Sequence, residues 1–466
     1  MDARSSFTRF VERRRRLAQQ IASAGGGIAV LPTAPERTRS NDTEHPYRHG
    51  SHFHHLTGFG EPQAWLLVDD TGHSTLLCRP RNPEREIWDG VRLGPEAAPA
   101  ALGVDVAQGI ETLDDCLAAA LANRNAVWLP FGAEGGLHDR IEAALAKVRA
   151  QDRNGVVCPA LLRDLNPVLA EMRLVKDAGE IETMRQAARI AALGHARAMR
   201  FSAERFRAAP DGVVREYEIE AELLHEFRRH GSNGPAYGSI VAAGANACVL
   251  HHEAGATPLR AGELCLIDAG CELDGYASDV TRTFPATGRY TPAQRELYDI
   301  VHAAQQAAVG QTRPGARKQD AHRAAVRVLA QGLLDTGLLD RNTVGDLDAV
   351  IESAAYRRFY MHGTGHWLGR DVHDVGEYLA LDEERVDQPD GLGGRIVRRP
   401  SRKLVPGMVV TIEPGLYVRP AADVPEHFWN IGIRIEDDAV VTPTGCELIS
   451  RGVPVAADEI EALMRG

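Results

Sequence analysis

The stretch Leu264–Phe284 reads LCLIDAGCELDGYASDVTRTF and has the features of a β-hairpin. Two short apolar runs flank Asp274-Gly275, a dipeptide that is strongly preferred in two-residue hairpin turns. A turn at this position places Asp268 opposite Thr281 and makes Asp268 and Asp279 diagonal neighbours on one face. Diagonal Cα atoms lie about 7–8 Å apart, so the two carboxylates are able to converge on one metal ion. The alternative is an exposed hairpin face with two solvated acids.

Length, composition and net charge limit the class of protein. The chain has 466 residues, of which 44% are hydrophobic and 25% charged, so we expect a globular protein with two domains. Its 53 Lys and Arg residues against 64 Asp and Glu residues give a net charge of −11, which argues against nucleic acid as the main partner.

Cysteine usage and apolar runs indicate the compartment. Seven cysteines, an odd number without a CxxC pair, are typical of a reducing compartment and not of a disulfide framework. The sequence contains no apolar stretch of membrane-spanning length and no signal-peptide core. We therefore expect a cytoplasmic protein that contacts no membrane.

Two domains are predicted from the pattern of segments. Residues 1–170 alternate strand-like and helix-like segments, which is typical of an α/β domain. Pro167 and a capping-box pattern at Asp177 and Glu180 place the boundary near residue 170, so the second domain is 171–466. A helix is predicted after Asp177, followed by helices at Glu216–His230, Gln294–Ala308 and Gln319–Leu334, and then by a β-rich tail.

Three groups of basic residues have ordinary interpretations. The run Arg13–Arg16 lies in a helical pattern and is interpreted as a solvated helix face, not a nucleic-acid patch. His195 lies on the apolar face of the helix after Asp177 and is interpreted as a core histidine with a hydrogen-bond partner. A histidine cluster matches no standard ligand spacing and is interpreted as surface or interface material: His45, His49, His52, His54 and His55.

Histidines of the second domain are better candidates for a site. His251 precedes the hairpin, and the segment MHGTGHWLG at 361–369 contains His362 and His366, with His373 shortly after it. Glycines at positions 363 and 365 disfavour a helix, so we expect a loop that presents single histidines.

Two predicted strands each carry an acid opposite their apolar residues. In MVVTIEPG at 408–415, Glu413 alternates with the apolar positions. In GIRIEDDAVV at 432–441, predicted as a single strand, Glu436 shares a face with Arg434. A solvated sheet face explains either strand taken alone.

Together these segments supply four carboxylates and one imidazole. Four clustered carboxylates cannot all stay ionised in a cleft without cations. An oxygen-rich set with one nitrogen suits Mn²⁺, Co²⁺ or Zn²⁺. Five protein ligands suit two ions that share bridging carboxylates. The predicted set is Asp268, Asp279, His366, Glu413 and Glu436.

Four of these motifs together resemble the pita-bread metallopeptidases: LIDAGCELDGYASDVTRTFP, HGTGHWLGRDVHDVG, PGMVVTIEPGLY and GIRIEDD. The N-terminal stretch RSNDTEHPYRHGSHFHHLTGFGEP, with EIWDGVRLGPEAAP after it, resembles the aminopeptidase P branch of that family. The resemblance covers nearly the whole chain. It implies a creatinase-like α/β domain at 1–170, an α+β pita-bread catalytic domain at 171–466 with internal pseudo-two-fold symmetry, and a homodimer or homotetramer.

The resemblance also implies roles for individual residues. Asp268 would chelate one of two divalent ions, and Asp279 and Glu436 would bridge both. His366 and Glu413 would complete the other ion, with manganese as the usual metal of this branch and Co²⁺ or Zn²⁺ as alternatives. The implied catalytic and substrate-contacting residues are Glu413, His251, His362, His373 and Arg434.

The activity implied is release of an N-terminal residue from peptides whose second residue is proline. Proline lacks an N–H group and its ring fixes φ, so ordinary peptidase clefts fit it poorly. Prolidase shares the site but cleaves only dipeptides, and the N-terminal match favours an aminopeptidase. Methionine aminopeptidase normally lacks so large an N-terminal domain. A pita-bread binding module without ligands and the metal-free creatinase are disfavoured because all five ligands are present.

Overall fold

The computed structural model describes the backbone of residues 3–466 and the side chains from Phe7 onward. The chain divides into two compact units, one that ends at Arg173 and one that runs from Leu174 to Gly466. The functional division into domains 1–170 and 171–466 stays a prediction. Among the residues described, no helix combines the length and the apolar character that crossing a membrane requires.

The elements of the first unit alternate as the sequence predicts. Its strands are β1 (Ile28–Pro32), β2 (Thr38–Ser40), β3 (Thr43–Glu44), β4 (Trp65–Asp69), β5 (Ser74–Cys78), β6 (Val106–Gly109), β7 (Ala126–Leu129) and β8 (Leu161–Asp164). Its helices are α1 (Ala3–Ser23), α2 (Ser51–Thr57), α3 (Pro83–Asp89), α4 (Gly94–Leu102), α5 (Leu113–Leu121), α6 (Leu137–Arg149) and α7 (Asn166–Leu174), of which α7 ends on the first residue of the second unit.

A mixed six-stranded sheet organises the first unit. Its strand order is β6-β5-β4-β1-β7-β8, with antiparallel pairs β1–β4 and β4–β5 and parallel pairs β1–β7, β7–β8 and β5–β6. Apolar side chains lie on both faces of β1, because Val30 packs with α5 and α6 residues and Leu31 packs with α1 and α2 residues. Burial on both faces explains why β1 reads as a continuous apolar run. The predicted α/β class is confirmed.

The basic run in α1 is partly buried, so its predicted solvated face is wrong for two residues. Arg13 and Arg14 are only 4% and 2% exposed. Arg14 donates to the carbonyl of Leu56 at 2.8 Å, in the last turn of α2, and to the carbonyl of Gly103 just after α4. Helix C-termini carry partial negative charge and unpaired carbonyls, which attract a guanidinium.

The histidines of the cluster differ in their exposure to solvent. His55 is 1% exposed, and His49 stacks on His54 with ring centroids 3.8 Å apart. The surface interpretation is therefore wrong for His55, which lies on the buried side of α2. No residue of the cluster belongs to a group of three or more potential metal ligands within the described part of the chain.

The second unit contains the remaining elements. Its helices are α8 (Ala178–Ala208), α9 (Glu216–Arg229), α10 (Pro292–Gln311), α11 (Lys318–Asp335), α12 (Arg341–Val344), α13 (Leu347–Glu352) and α14 (Ala457–Arg465). Its strands are β9 (Val214–Arg215), β10 (Gly234–Pro235), β11 (Ile240–Ala243), β12 (Pro258–Leu259), β13 (Leu264–Asp268), β14 (Cys271–Leu273), β15 (Tyr276–Ala277), β16 (Thr281–Pro285), β17 (Val386–Pro389), β18 (Arg395–Arg398), β19 (Val409–Ile412), β20 (Gly415–Val418), β21 (Ile431–Arg434), β22 (Asp437–Val441) and β23 (Cys446–Leu448).

The same order of elements occurs twice in the second unit. Helices α8 and α9 precede the sheet β11-β13-β16, and helices α10 and α11 precede the sheet β19-β22-β23. One apolar core joins both halves and contains Phe227, Phe284, Leu297 and Ile433. The four predicted helices are confirmed, although α10 begins two residues and α11 one residue earlier than predicted. Helix α8 begins with a capping box between Asp177 and Glu180. This architecture positions the two sheets that carry the acids.

The hairpin register is confirmed, whereas the predicted single strand at 432–441 is wrong. Asp268 pairs with Thr281, and the turn residues Asp274 and Gly275 both have positive φ, at 51° and 73°. The segment 432–441 is instead divided between β21, which pairs with β20, and β22, which pairs with β19. The break falls at the residues between them, so each short strand follows a different partner.

Candidate active site

The two hairpin aspartates converge as the diagonal register predicts. Asp268 is the last residue of β13, and Asp279 lies in the gap before β16. The hydroxyl of Tyr237 lies 2.6 Å from Asp268 Oδ1 and also contacts Asp279 Oδ1. A phenol has one proton, so Tyr237 donates to one carboxylate at a time and holds both within reach of a single atom.

Each aspartate also makes a hydrogen bond to a second residue. Asp268 Oδ2 accepts a hydrogen bond of 2.7 Å from Arg434 Nη2. Burial raises the pKa of Asp268, but the charge of Arg434 and the hydrogen bonds from Tyr237 and Arg434 together hold that pKa below its usual value. The N–H of Asp279 donates to both carboxylate oxygens of Asp438 at 3.2 Å. Burial raises the pKa of Asp279, the opposite direction from Asp268.

His366 presents one ring nitrogen to these acids. Its Nδ1 donates to the carbonyl of Trp367 at 3.0 Å, so in the neutral ring Nε2 is the unprotonated nitrogen that is able to bind a metal. Nε2 lies 3.4 Å from Asp279 Oδ2 and 3.7 Å from Glu413 Oε1. The predicted loop around His366 is confirmed, because residues 361–369 belong to no helix.

Two glutamates next to strands of the second sheet complete the cluster, since Glu413 follows β19 and Glu436 precedes β22. Glu436 accepts a hydrogen bond of 2.7 Å from Thr281 Oγ1, across from the hairpin. Burial and the neighbouring carboxylates raise the pKa of Glu436 well above its usual value, and burial raises the pKa of Glu413 to about 7. Single donor atoms of Asp279, His366 and Glu436 all lie within 4.8 Å of one another.

The donor set fits divalent metal ions. Four carboxylates face one another, of which Asp279 and Glu436 are buried and Asp268 and Glu413 are partly buried. Arg434 pairs directly with one of them, Asp268. Raised pKa values at Asp279, Glu413 and Glu436 show that the protein alone does not balance their charge. Carboxylate oxygens with one imidazole nitrogen are ligands that divalent transition metals accept.

A chain of hydrogen bonds lies beside the cluster. Arg434 Nη1 donates to the hydroxyl of Tyr417 at 3.0 Å, and that hydroxyl lies 2.8 Å from His362 Nε2. His362 Nδ1 donates to the carbonyl of Gly363 at 2.7 Å, so Tyr417 donates to the other ring nitrogen. Burial lowers the pKa of His362 to about 3, and the ring is therefore neutral at pH 7.

The remaining predicted residues lie at the exposed side of the site. His373 and His251 are both exposed. The ring centroid of His373 is 4.3 Å from that of His366, in an edge-to-face arrangement. Partial burial, together with the charges of His366 and His251, lowers the pKa of His373. The structure thus brings the whole predicted set to one region of the second unit.

Sequence reasoning missed several residues that hold this set in place. Tyr237, Tyr417 and Asp438 contact predicted site residues but belong to no spacing pattern that indicates a metal site. For Thr281 a signal existed, because the hairpin register already placed it opposite Asp268.

Comparisons with known proteins agree with this geometry. The model of metallopeptidase family M24 matches residues 182–443, and that of the aminopeptidase P N-terminal domain matches residues 10–128. Xaa-Pro aminopeptidase of Escherichia coli K12 is 43% identical, over 98% of this chain and 97% of its own. Xaa-Pro aminopeptidase 3 of Homo sapiens is 31% identical, over 96% of this chain and 83% of its own.

Solved structures give the same result. Aminopeptidase PepP of Pseudomonas aeruginosa has a TM-score of 0.88 and 43% identity, covering 98% of this chain and 97% of its own. A glutamate-to-alanine variant of Escherichia coli aminopeptidase P in complex with substrate has a TM-score of 0.88 and 42% identity, covering 98% of both chains. The chain therefore belongs to metallopeptidase family M24, within its aminopeptidase P branch, and has the two-domain pita-bread architecture of that branch.

Proposed function

We propose that this chain is an Xaa-Pro aminopeptidase, which hydrolyses the bond between an N-terminal residue and a penultimate proline. The observation that carries the proposal is the convergence of Asp279, His366 and Glu436 within 4.8 Å, with Asp268 and Glu413 beside them. Relatives that match nearly the whole chain are Xaa-Pro aminopeptidases, which supports this substrate class.

The proposed cofactors are two divalent metal ions, with Mn²⁺ first and Co²⁺ or Zn²⁺ as alternatives. Asp279 and Glu436 would be shared between the ions, because both lie centrally among the other donors. Asp268 would bind one ion only, and His366 and Glu413 the other. Divalent ions in such a site polarise a peptide carbonyl and make water a better nucleophile at neutral pH.

Glu413 is the proposed general base. The value of about 7 for its pKa belongs to the metal-free cluster, and a carboxylate held beside a metal-bound water would accept a proton from it. Its carboxylate lies 3.7 Å from His362 and 3.7 Å from His366, at the edge between the donor cluster and the exposed side of the site. From there it would take the proton of the attacking water and pass it to the proline nitrogen as the peptide bond breaks.

His362, His373 and His251 are the proposed substrate contacts. The Arg434–Tyr417–His362 chain fixes the orientation of the His362 ring. A positioned donor beside the scissile carbonyl stabilises charge that develops on its oxygen. The exposed rings of His373 and His251 would contact the peptide around the scissile bond.

Prolidase is the second candidate, because it shares the site and differs in peptide length. We would compare Xaa-Pro, Xaa-Pro-Yaa and longer peptides with Mn²⁺ present, using Glu413→Ala and the exposed-residue control Glu352→Ala. Release of the first residue from tripeptides and longer chains, lost only in Glu413→Ala, supports the proposal. Cleavage of the dipeptide alone would assign the chain to prolidase.

The assembly and the compartment are further proposals. We infer a homodimer or homotetramer in the cytoplasm, without a nucleic-acid or membrane partner. The net charge of −11 supports the lack of nucleic acid binding. Light scattering of the purified chain checks the oligomer, and a monomeric mass over the working concentration range would contradict it.

A further inference from the structure

A cavity of about 250 Å³ lies in the second unit on the far side of the loop that presents His366. Its wall includes the loop residues Thr364 and Gly365 and the strand residue Thr411. None of the five predicted metal ligands lines it, and neither do the three proposed substrate histidines. The cavity is therefore separate from the candidate active site, although they share one loop.

Two cationic side chains line this cavity. Lys318, the first residue of α11, donates from Nζ to the carbonyl of Gly365, and Nζ lies 4.9 Å from the ring centroid of Tyr378. Burial lowers the pKa of Lys318 to about 8, so the ammonium is still mostly charged at pH 7. Arg398 has a buried Nε without a hydrogen-bond partner among the residues described. The lining therefore contains two cations and no carboxylate, and the acids that interact with them, Glu413 with Lys318 and Asp390 with Arg398, lie outside it.

The rest of the lining is mostly apolar. Leu379, Leu404, Val410 and Ile412 form the apolar wall, and Ser401 adds a hydroxyl. A water molecule occupies roughly 30 Å³ in the liquid, so the cavity volume corresponds to about eight water molecules. A ligand that fills it needs one anionic end and a compact apolar body.

We propose that this cavity is a second ligand site, which binds a small carboxylic acid with an apolar body and transmits its occupancy to His366. The carboxylate would pair with Lys318 and Arg398, and the body would lie against the leucine and valine side chains. No activity of the chain is needed for this binding.

The loop provides the connection to the metal cluster. The N–H of Glu413 donates to the carbonyl of Thr364 at 3.0 Å, and the N–H of Thr411 donates to the carbonyl of His366 at 3.0 Å. Lys318 holds the carbonyl of Gly365 between these two bonds. A carboxylate that draws Lys318 away removes this support next to His366, so we expect bound ligand to lower turnover.

Calorimetric titration of benzoate into the metal-loaded full chain tests the proposal, with neutral benzamide as the matched probe. We expect benzoate to bind and benzamide to bind about tenfold more weakly or not at all, since a charged hydrogen bond is lost. Lys318→Met and Arg398→Gln should each weaken benzoate binding about tenfold. Arg327→Gln removes an exposed cation from the same helix and should leave binding unchanged.

Asp268→Asn distinguishes binding in the cavity from direct binding of the carboxylate to the metal ions. Benzoate binding that is retained in Asp268→Asn but weakened in Arg398→Gln supports the cavity site. Arg398 lies at the end of a largely exposed strand, so Arg398→Gln keeps the test usable if Lys318→Met does not fold. Absence of benzoate binding to the wild type, or binding lost in Asp268→Asn and kept in both cavity variants, would overturn the proposal.

Discussion

At the scale of single residues, Tyr237 connects the two hairpin aspartates. Its hydroxyl contacts Asp268 and Asp279, and burial together with these two charges raises the pKa of Tyr237 well above its usual value. The phenol is therefore protonated at neutral pH. It keeps both carboxylates turned towards a common point.

Replacing Tyr237 with phenylalanine should weaken metal binding. Loss of a partner that orients a ligand typically costs about 10–100-fold in metal affinity. Titration with Mn²⁺, followed by calorimetry, measures the change. Tyr298→Phe is the control, because its hydroxyl donates to the carbonyl of Val455 and touches no predicted ligand. Equal affinity in Tyr237→Phe and the wild type would contradict the orienting role.

His195 makes folding stability dependent on pH. The ring is completely buried, and its Nε2 donates to the carbonyl of Ala269 at 2.9 Å, as the prediction of a core histidine requires. Burial lowers its pKa from 6.5 to about 4. Between these values the unfolded chain binds more protons than the folded one, so stability is complete above pH 6.5 and decreases as the pH falls towards 4.

We expect this single histidine to cost about 2 kcal/mol of unfolding free energy between pH 7 and pH 5. His195→Gln keeps a donor for Ala269 but does not titrate. Denaturant unfolding at both pH values should therefore show a smaller loss in His195→Gln, by about that amount. The same pH dependence in both proteins would argue that another group is responsible.

At this scale the sequence was informative about ligands and not about their supports. Asp268 and Asp279 are recognisable because the hairpin register brings the two carboxylates together, and Glu436 is recognisable from the motif GIRIEDD. Tyr237 and Asp438 contact them through side chains distant in the chain, and no local pattern marks such contacts. The buried Arg14 was misjudged for the same reason, since its carbonyl partners lie far away in sequence.

At the scale of elements, close approach between the His366 loop and β19 sets the position of a ligand. A Cβ atom at Gly365 would lie 1.9 Å from the carbonyl oxygen of Thr411 and 2.8 Å from its carbonyl carbon. Only glycine allows the loop to lie this close to the strand. His366, the next residue, depends directly on that approach.

Gly365→Ala should therefore displace His366 and reduce activity about a hundredfold, because a shift of roughly 1 Å at a catalytic group has that effect. Peptide hydrolysis and Mn²⁺ affinity should fall together. Gly363→Ala is the matched control, since its added methyl group meets no atom within 4 Å. Similar activity in both alanine variants would contradict the packing argument.

Elements were predictable where local chemistry determines them. Asp274-Gly275 specifies a turn by its positive φ values, and the capping box of Asp177 and Glu180 specifies the start of α8. The break between β21 and β22 was not predictable, because alternation continues through 432–441 while the pairing partner changes. Partner choice is a property of the folded sheet and not of the segment.

At the scale of the whole molecule, clustered carboxylates make stability dependent on bound metal. Burial raises the pKa of Glu413 and Glu436, so the charged cluster destabilises the metal-free fold. Metal at a hundred times its dissociation constant should stabilise by about 2.7 kcal/mol. Chelation should lower the melting temperature of the wild type, and Mn²⁺ should restore it.

Glu436→Gln separates charge relief from metal binding. The metal-free variant should melt above the metal-free wild type, because one buried charge is gone, and Mn²⁺ should raise its melting temperature less. Differential scanning calorimetry measures both effects. A melting temperature that does not respond to chelation in the wild type would contradict a metal site in the cluster.

Cleavage of defined peptides tests the central claim most directly. We would digest an Xaa-Pro-Yaa peptide and its Xaa-Ala-Yaa counterpart with Mn²⁺-loaded protein, chelated protein and chelated protein given Mn²⁺ again, and identify the products by mass spectrometry. We predict release of the first residue from the proline peptide only, with activity lost on chelation and restored by metal. Cleavage that survives chelation, or equal cleavage of both peptides, would contradict it.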